Sequence, residues 1–531
     1  MNGEKQGGWT ERKVSRRDFL REAGAVGLGA ASIGVLSALS SSTAFGRPDT
    51  EVIFATSNMP SSLEPHLNGA DIWQRRKPMI YENLTRISED LAPEPQLAES
   101  WEQLSLTEYV FKVRRGVKFH NGQELDAEDA KYTYERVLDP DVGSGGAGDL
   151  RFIDKIEVLD KYTVRFSLKE VVAPGLFLLN LGGKYNGIIP KDFLPEKTSR
   201  NLSNAGMGTG PYKVVDFEPN EKIVLEKHGS YWQSGKPHVD RVTFQAIPDE
   251  SSIVAGLRTG EVDITDFWDT FNFYRVSGDQ RLNTVRVPSL TLKALDLSGS
   301  LEPTNDPRVR LAIQLGIDRD EILKISGNNI GQQIGIIPPG MTFWALPWTE
   351  LPNQKRDVNR ARELLAEAGY TRGMKLKLRN IIGYPALAAS IQVIADQLRD
   401  VGLDVTIETI DIGLWIKDWL EFKTPPTMNA WGGFVDPDQY LYRHFHSRPQ
   451  GADFRNWNDP VGDALLDAGR RELDRERRRK IYNQLQSHMA SSAITIPLYA
   501  PDLVYSMQKS IQGFTYHPMG FYYGLRFIEK A

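Results

Sequence analysis

The sequence predicts a mixed α/β chain with more than one sheet. Short segments of alternating apolar residues, such as Tyr109, Phe111 and Val113, recur between longer segments with apolar residues at helical spacing. Several helical segments begin after an aspartate, as at Asp126 and Asp306. The chain has 531 residues, of which 40% are hydrophobic, and shows no short internal repeat, so we expect two or three domains with sizeable cores.

The expected elements follow one another along the whole chain. Strands are expected at 51–54, 109–113, 117–119, 162–168, 213–217, 222–225, 242–246, 262–265, 375–378 and 405–407. Helices are expected after the caps Asp126, Asp306, Asp318, Asp459 and Asp474, and at 251–259, 357–368 and 387–401. Glu321 follows Asp318 by three residues, which predicts a capping box. Because strands and helices are mixed throughout, the α/β class is favoured.

The first residues predict an export signal of the twin-arginine type. The motif Ser-Arg-Arg-Asp-Phe-Leu at 15–20 is followed at 23–40 by small and apolar residues that several glycines dilute. A small-residue cleavage site follows between Ala44 and Arg47. We therefore expect residues 1–46 to be removed and the rest of the chain to work outside the cytoplasm. A single N-terminal membrane anchor is the alternative.

Composition limits the compartment and the partners. The chain contains no cysteine and has a formal net charge of −5. It can therefore form no disulfide, no thiolate metal site and no lipid-bearing N-terminal cysteine. An exported protein without a lipid anchor is retained only where an outer membrane encloses it, so we expect a periplasmic location. Because the net charge is negative, the protein has no overall positive potential to attract a phosphate backbone, and no nucleic-acid partner is expected.

The sequence lacks the common catalytic signatures. It has no Gly-x-Ser-x-Gly, no His-Glu-x-x-His and no phosphate-binding loop. The spacings of His444 with His446, and of Asp436 with Asp438, are too weak to predict a nickel or calcium site. We therefore expect no catalytic residue, no bound metal and no cofactor. A pair of carboxylates that hydrolyses glycosides stays open, because Asp and Glu are abundant.

Six blocks of residues carry a resemblance to a known family. They are 97–101 with 111–122 and 126–130; Gly208-Thr209-Gly210-Pro211-Tyr212 with 231–232, 247–250 and 260–264; 306–319; 361–370; Trp431-Gly432-Gly433 with Asp436-Pro437-Asp438; and Ile496-Pro497-Leu498-Tyr499. In this order they resemble the large extracellular solute-binding proteins of ABC importers, of the dipeptide, oligopeptide and nickel-binding type. The blocks extend over about residues 51–520.

The resemblance implies the periplasmic-binding-protein fold, in which two α/β lobes close on a ligand like a hinged trap. It also implies an extra subdomain in the first lobe. The implied boundaries are 48–297 plus 500–531 for the first lobe, about 85–205 for the extra subdomain and 298–499 for the second lobe. The chain would then cross between the lobes near 297–300 and 498–501, and these crossings would form the hinge.

The same resemblance points to a ligand site around the Trp431 block. In peptide-binding relatives an aspartate after this element pairs with the ligand's amino terminus, and the matching position here is Gly433. Because a buried ammonium without a counter-charge is costly, a peptide with a free amino end is disfavoured unless Asp436 substitutes. A sugar, an amide-capped peptide or an opine-like ligand would suit the site. The ligand-binding candidates are Asn58, Glu64, Trp268, Trp344, Trp415, Trp431, Gly432, Phe434 and Asp436.

The implied function is the substrate-binding component of an ABC importer. The protein would capture a peptide-like, oligosaccharide-like or opine-like solute in the periplasm and deliver it to a membrane permease with cytoplasmic ATPases. We expect a monomer that carries out no covalent step. Two alternatives on the same fold stay open, an extracytoplasmic hydrolase and a ligand receptor. Turnover of an oligosaccharide would identify the hydrolase, and a signalling partner would identify the receptor.

Overall fold

The computed structural model describes residues 50–67, 71–196, 206–267, 270–371, 373–382, 384–432, 434–447 and 455–531. The predicted export signal lies outside these residues, as do Trp268 and Gly433. Thr50–Ala531 forms one unit by its internal contacts. In the described ranges, no helix combines the length and the apolar character that a membrane crossing requires.

The strands run from the start of the described chain to its end. They are β1 (Glu51–Thr56), β2 (Thr85–Ile87), β3 (Pro93–Pro95), β4 (Ala98–Ser105), β5 (Glu108–Val113), β6 (Ile153–Asp160), β7 (Thr163–Leu168), β8 (Tyr212–Glu218), β9 (Lys222–Lys227), β10 (Arg241–Ala246), β11 (Ile264–Phe267), β12 (Leu282–Pro288), β13 (Leu292–Asp296), β14 (Gln332–Gln333), β15 (Lys375–Ile381), β16 (Asp404–Ile410), β17 (Thr427–Trp431), β18 (Thr495–Ala500), β19 (Asp502–Gln508), β20 (Ile511–Gln512) and β21 (Glu529–Lys530).

The helices are spread between these strands. They are α1 (Asp71–Arg76), α2 (Ala127–Leu138), α3 (Ala147–Leu150), α4 (Pro174–Leu181), α5 (Glu250–Thr259), α6 (Thr270–Val276), α7 (Pro307–Gly316), α8 (Arg319–Ser326), α9 (Val358–Glu367), α10 (Pro385–Val401), α11 (Ile412–Leu420), α12 (Pro437–Phe445), α13 (Pro460–Arg471) and α14 (Arg475–Ser492). Short 3₁₀ helices lie at Lys77–Met79, Trp348–Glu350 and Tyr522–Phe527.

Aspartate caps begin the helices where the sequence predicts them. The side chains of Asp126, Asp306, Asp318, Asp459 and Asp474 each accept backbone N–H groups of the first turn of the helix that follows. The predicted capping box at Asp318 is incomplete, because the Glu321 carboxylate instead accepts from Gln397 Nε2 at 2.7 Å. That bond joins α8 to α10, so tertiary packing outweighs the local capping pattern at this helix.

Within the described residues the first large sheet has seven strands in the order β12-β19-β11-β1-β10-β9-β8. β1 is parallel to its neighbours β10 and β11, and the other pairs are antiparallel. The core of this sheet includes Phe54, Phe244 and Tyr522, whose ring centroids lie 4.6–5.7 Å apart. This sheet is the centre of the first lobe.

The second large sheet has six strands in the described chain, in the order β14-β18-β13-β17-β15-β16. β15 is parallel to β16 and β17, and the other pairs are antiparallel. One face packs on α7–α10 in a core that includes Leu378 and Ile394. The other face packs on α12–α14 in a core that includes Leu441 and Leu485. Helices on both faces are typical of a sheet that contains parallel strands.

A smaller antiparallel sheet, in the order β4-β5-β7-β6, forms the extra subdomain of the first lobe. Its core joins Phe111, Phe166 and Phe177 with Tyr134 of α2. The rings of Phe111 and Phe166 meet edge-on at 5.4 Å. The two-lobed α/β architecture with an additional subdomain, which the sequence predicts, is confirmed.

The chain passes between the two large sheets at two short crossings. β12 and β13 are separated by residues 289–291, and β18 and β19 are separated by Pro501 alone. The Ser289 hydroxyl donates to the Pro501 carbonyl at 2.5 Å, so the two crossings lie side by side. The first crossing comes earlier than the expected 297–300, because Leu292–Asp296 already pairs with β17 and β18 of the second sheet.

Candidate ligand-binding site

The carboxyl ends of parallel strands from both large sheets border the crossings. β12 runs in the same direction as β11, because both are antiparallel to β19. It leads through residues 289–291 to Leu292 of β13, which pairs with Trp431 at the end of β17. β15 and β16 run in the same direction as β17. Ligands of α/β sheets bind at such carboxyl edges, so the candidate site lies here, between the sheets.

An aromatic cluster occupies the carboxyl edge of the second sheet. We define it as Trp415, Trp419, Trp431, Phe434, Tyr440 and His444. The ring of Trp431 lies 4.9 Å from His444 and 5.9 Å from Trp419, and Phe434 stacks on Tyr440 at 5.0 Å. Trp431 and Phe434 are half-buried, so part of each ring is open to solvent. Such rings offer large apolar surfaces at low entropic cost.

The buried ion pair of Asp296 and Arg455 fixes the position of the Trp431 ring. Asp296, which is 0% exposed, accepts from the Trp431 indole N–H at 2.8 Å and from Asn429 at 2.7 Å. It also pairs with the guanidinium of Arg455, which lies over the Trp431 ring at 5.0 Å. Neither Asp296 nor Arg455 could be predicted as part of this site, since no local sequence motif links them to Trp431.

Gly432 lies against the first crossing. A Cβ at this position would come within 2.9 Å of Thr291 Oγ1 and 3.2 Å of Thr291 Cα. Only glycine allows this close approach without a shift of the crossing. The prediction that Gly433 replaces the amine-binding aspartate of peptide-binding relatives concerns a residue outside the described ranges, and it stays a prediction.

Asp436 has a structural environment that disfavours direct ligand binding. It is 1% exposed, caps α12 together with Gln439, and accepts two hydrogen bonds from Arg478, at 2.5 and 2.6 Å. Both carboxylate oxygens are therefore engaged by one guanidinium. The expectation that Asp436 substitutes for the missing aspartate would require this buried pair to open.

Two other candidate tryptophans lie mainly in the interior. Trp344 is 8% exposed and packs edge-on against Phe343 at 4.8 Å and Tyr482 at 5.7 Å. Trp415 is 7% exposed, and its ring lies 4.8 Å from that of Trp419. It is therefore a buried member of the aromatic cluster and packs against the other rings. These contacts favour a packing role for Trp344 and a supporting role for Trp415.

The two described candidates of the first lobe, Asn58 and Glu64, have different environments. Asn58 is exposed and lies just after β1, at the carboxyl edge of the first sheet. Glu64 is buried, and its Oε1 pairs with Arg136 at 3.2 Å and accepts from the His66 N–H at 3.0 Å. Burial raises the pKa of Glu64, with Arg136 acting against that shift. Glu64 thus belongs to the interior of the first lobe, whereas Asn58 stays a candidate.

Exposed apolar side chains, which no sequence pattern predicted, surround the carboxyl edge of the second sheet. They belong to α11 and to the loop after β15, and they are Ile382, Tyr384, Ile412, Leu414, Ile416 and Leu420. Phe271 of α6, in the first lobe, is 61% exposed. Apolar residues in the sequence are expected to be buried, so their exposure here becomes visible only in the fold.

The residues described give no sign of a metal site. No group of three or more His, Cys, Asp or Glu among them is arranged to hold a metal ion. His444 belongs to the aromatic cluster, and His446 lies 3.5 Å from Asp467. A separate cavity of about 380 Å³, lined in part by Pro303, Lys375 and Asp404, lies at the amino ends of β15 and β16. That is the opposite end of the sheet from the aromatic cluster.

Comparison with known proteins gives consistent results. The family model "Bacterial extracellular solute-binding proteins, family 5 Middle" matches residues 92–452. The oligopeptide-binding protein AppA of Bacillus subtilis (strain 168) is 26% identical over 473 residues, which cover 83% of this chain and 84% of AppA. The glutathione-binding protein GsiB of Salmonella paratyphi A (strain ATCC 9150 / SARB42) is 25% identical over 502 residues, 92% of this chain and 96% of GsiB. The structure of DppA from Helicobacter pylori, in complex with the peptide STSA, matches with a TM-score of 0.78 and 25% identity over 90% of this chain and 98% of DppA.

Proposed function

The chain belongs to the bacterial extracellular solute-binding proteins of family 5, and from that membership we propose that it is the substrate-binding component of an ABC importer. The match over residues 92–452 is the observation that carries this proposal. Members of the family are binding proteins rather than enzymes. The partners would be a membrane permease and its ATPases, which the ligand-loaded protein reaches by diffusion.

We infer a peptide or a peptide-like molecule as the ligand. One relative is named for oligopeptides and another for glutathione, which is itself a peptide. At the candidate site, Trp431 and Phe434 present half-buried rings beside exposed apolar side chains. This surface suits apolar side chains and planar amide groups. An oligosaccharide or an opine-like solute would use the same rings, so both classes belong in the test.

Capture would proceed by closure of the lobes about the two crossings. We propose 50–288 plus 502–531 as the first lobe, with the extra subdomain at about 85–205, and 292–500 as the second lobe. Residues 289–291 and Pro501 would then absorb the backbone change. Asn58 on the first lobe and Trp431, Gly432 and Phe434 on the second would contact the ligand. Closure requires that the ligand bind the closed form more tightly than the open form.

Calorimetry and thermal unfolding test this proposal. The purified protein is titrated with dileucine, trialanine, glutathione, maltotriose, octopine and a nickel salt, and we expect a saturable response to at least one peptide. A ligand at 100 times its dissociation constant stabilises a protein by about 2.7 kcal/mol, which raises the melting temperature measurably. No response to any peptide, together with a response to maltotriose, would replace the peptide proposal by a sugar-binding one.

A matched pair of variants locates the ligand. Trp431→Leu removes a half-buried ring at the candidate site, and Trp101→Leu removes a half-buried ring in the extra subdomain. We expect only Trp431→Leu to weaken binding, by about tenfold or more. Equal binding by both variants would place the ligand elsewhere. Product analysis after incubation with maltotriose separates a hydrolase from a binding protein, because only a hydrolase releases shorter sugars.

We also propose that residues 1–46 direct export by the twin-arginine route and that the mature protein begins near Arg47. The order of charged, apolar and small residues supports this proposal. Cleavage there would release a chain without a lipid anchor into the periplasm, where a binding protein of this family meets its permease.

A further inference from the structure

Helix α4 of the extra subdomain is apolar on two faces. Phe177, Leu178 and Leu181 lie in the core of the subdomain. Leu179, which is 5% exposed, belongs instead to the buried cluster that Val435 and other residues of the second lobe form. A helix that is apolar on both sides is buried between two layers, so α4 packs between the extra subdomain and the second lobe.

The next residue of α4 makes a hydrogen bond between the lobes. Asn180 is 4% exposed, and its Oδ1 accepts from Gln439 Nε2 of α12 at 2.6 Å. The amide nitrogen of Asn180 donates to the backbone carbonyl of Asp149 at 2.8 Å, within the extra subdomain. Only the nitrogen of a side-chain amide can donate, so this second bond fixes the orientation of the Asn180 amide. Its Oδ1 therefore faces the second lobe as an acceptor.

Gln439 connects this hydrogen bond to the candidate ligand site. Its Oε1 accepts from the Val435 N–H at 2.9 Å and from the Asp436 N–H at 3.3 Å, at the start of α12. These two residues directly follow Phe434 of the candidate site. Because backbone donors occupy Oε1, Nε2 is the atom that faces the first lobe. One amide side chain thus joins the backbone beside the ligand site to the extra subdomain.

Two further contacts surround this hydrogen bond. The Ala173 N–H, just before α4, donates to the backbone carbonyl of Arg470 near the end of α13, at 3.4 Å. The guanidinium of Arg151 lies 6.0 Å from the centre of the Tyr442 ring of α12. These contacts also join the extra subdomain to the second lobe. Any opening of the lobes that separates α4 from α12 must therefore break all of them together.

We propose that the extra subdomain acts as a latch, in which Leu179 and Asn180 hold Gln439 so that the lobes stay closed before a ligand arrives. The effect of this latch on affinity rests on the proposed transport function. If a ligand binds the closed form, its apparent dissociation constant is the intrinsic one divided by the closed fraction. The latch would therefore strengthen the binding of every ligand by the same factor, without contacting any of them.

Two variants break the latch from opposite sides. Gln439→Glu keeps the oxygen that caps α12, because glutamate serves in the same capping box, but it places a second carboxylate oxygen against Asn180 Oδ1. Asn180→Ala removes the acceptor and leaves α12 unchanged. Gln103→Glu, at an exposed glutamine of β4, is the control with the same change of charge. Thermal unfolding establishes that each variant is folded.

The first experiment measures the separation of the lobes and needs no ligand. The chain has no cysteine, so Glu170→Cys and Leu473→Cys place two spin labels at exposed positions, each three residues from Ala173 or Arg470. Pulsed electron paramagnetic resonance gives the distribution of distances between the labels. We expect one short distance in the wild-type background and in Gln103→Glu, and an additional longer distance in both latch variants. A wild type that is mainly open, or the same distribution in all four proteins, would overturn the latch.

The second experiment measures how the latch affects binding. Dileucine, trialanine and glutathione are titrated into the four proteins without labels. We expect both latch variants to bind each peptide that wild type binds about fivefold more weakly, with faster dissociation. Unchanged affinities, or weaker binding of one peptide with unchanged binding of another, would contradict the latch. If no peptide binds wild type, the peptide proposal fails, and the distance measurement still decides the latch.

Discussion

The indole N–H of Trp431 donates a 2.8 Å hydrogen bond to Asp296 Oδ2, across a separation of 135 residues in the sequence. The other carboxylate oxygen of Asp296 accepts from Arg455 Nε at 3.0 Å and from Thr495 at 2.5 Å. One buried carboxylate therefore fixes both the tryptophan ring and the cation above it. This arrangement keeps the half-buried ring in a single orientation at the proposed ligand site.

Replacing Asp296 tests the strength of this anchor. Asp296→Ala leaves Arg455 buried without its counter-charge, and we expect a loss of about 3–5 kcal/mol in the free energy of unfolding. Asp296→Asn keeps an acceptor for the indole and should lose less. Urea unfolding followed by tryptophan fluorescence measures both, with the exposed Asp154→Ala in the extra subdomain as the control. A loss for Asp296→Ala no greater than that of the control would contradict the anchor.

The pair of Asp436 and Arg478 makes a second prediction, about stability rather than ligand binding. Arg478→Met leaves a buried carboxylate unpaired, and we expect it to destabilise the protein by about 3–5 kcal/mol. Asp436→Asn retains the cap of α12. The double variant removes both charges, so it should be more stable than Arg478→Met alone. Chemical unfolding of the four proteins gives the coupling, and strictly additive losses would show that the pair does not interact.

Much of the fold could be predicted from local sequence signals. The caps at Asp126 and Asp459 confirm that an aspartate before an apolar periodic segment marks a helix start. Strand order is not a local property, and the two-lobed architecture came from the resemblance of whole blocks. The position of the first crossing could not be predicted from local signals, because the pairing partners of Leu292–Asp296 are β17 and β18, more than 100 residues away.

The candidate site could be predicted only in part. Trp431 and Phe434 became candidates because they stand in a recognisable block, and the structure brings them into one cluster, while their contact with a ligand stays a prediction. Asp436 stands in the same block, yet Arg478, 42 residues later, takes both of its oxygens. Trp344 shows the same limit, since an aromatic residue gives no sign in the sequence of whether it lines a cleft or fills a core.

Buried histidine makes stability depend on pH. His517 is 1% exposed, its Nε2 lies 3.2 Å from the Ile87 carbonyl, and its Nδ1 accepts the Met519 N–H at 3.1 Å. Burial, as the largest cause, lowers its pKa to about 4. The unfolded chain therefore binds the proton more readily, so this stabilisation is present above about pH 6.5 and is lost as the pH falls towards 4.

The variant His517→Gln separates the contribution of His517 to the pH dependence of stability from that of other groups that titrate in acid. The contribution of His517 between pH 6.5 and 4 amounts to about 3 kcal/mol. Chemical unfolding across this range should therefore show a weaker pH dependence for His517→Gln than for wild type. His238→Gln, at a partly exposed histidine, serves as the control and should keep the wild-type slope. If the slopes of all three proteins coincide, His517 does not contribute in this way.

Exchanging Arg16 and Arg17 for lysines tests the proposed export route. The twin-arginine machinery reads the arginine pair itself, so lysines retain the charge but should block recognition. We expect most of the variant to stay uncleaved in the cytoplasm. Wild type and the control Arg21→Lys should reach the periplasm with a new amino terminus near Arg47. Cell fractionation and amino-terminal sequencing measure both results. Unchanged export of the lysine variant would show that another route carries the protein, and an uncleaved, membrane-bound wild type would favour the N-terminal anchor.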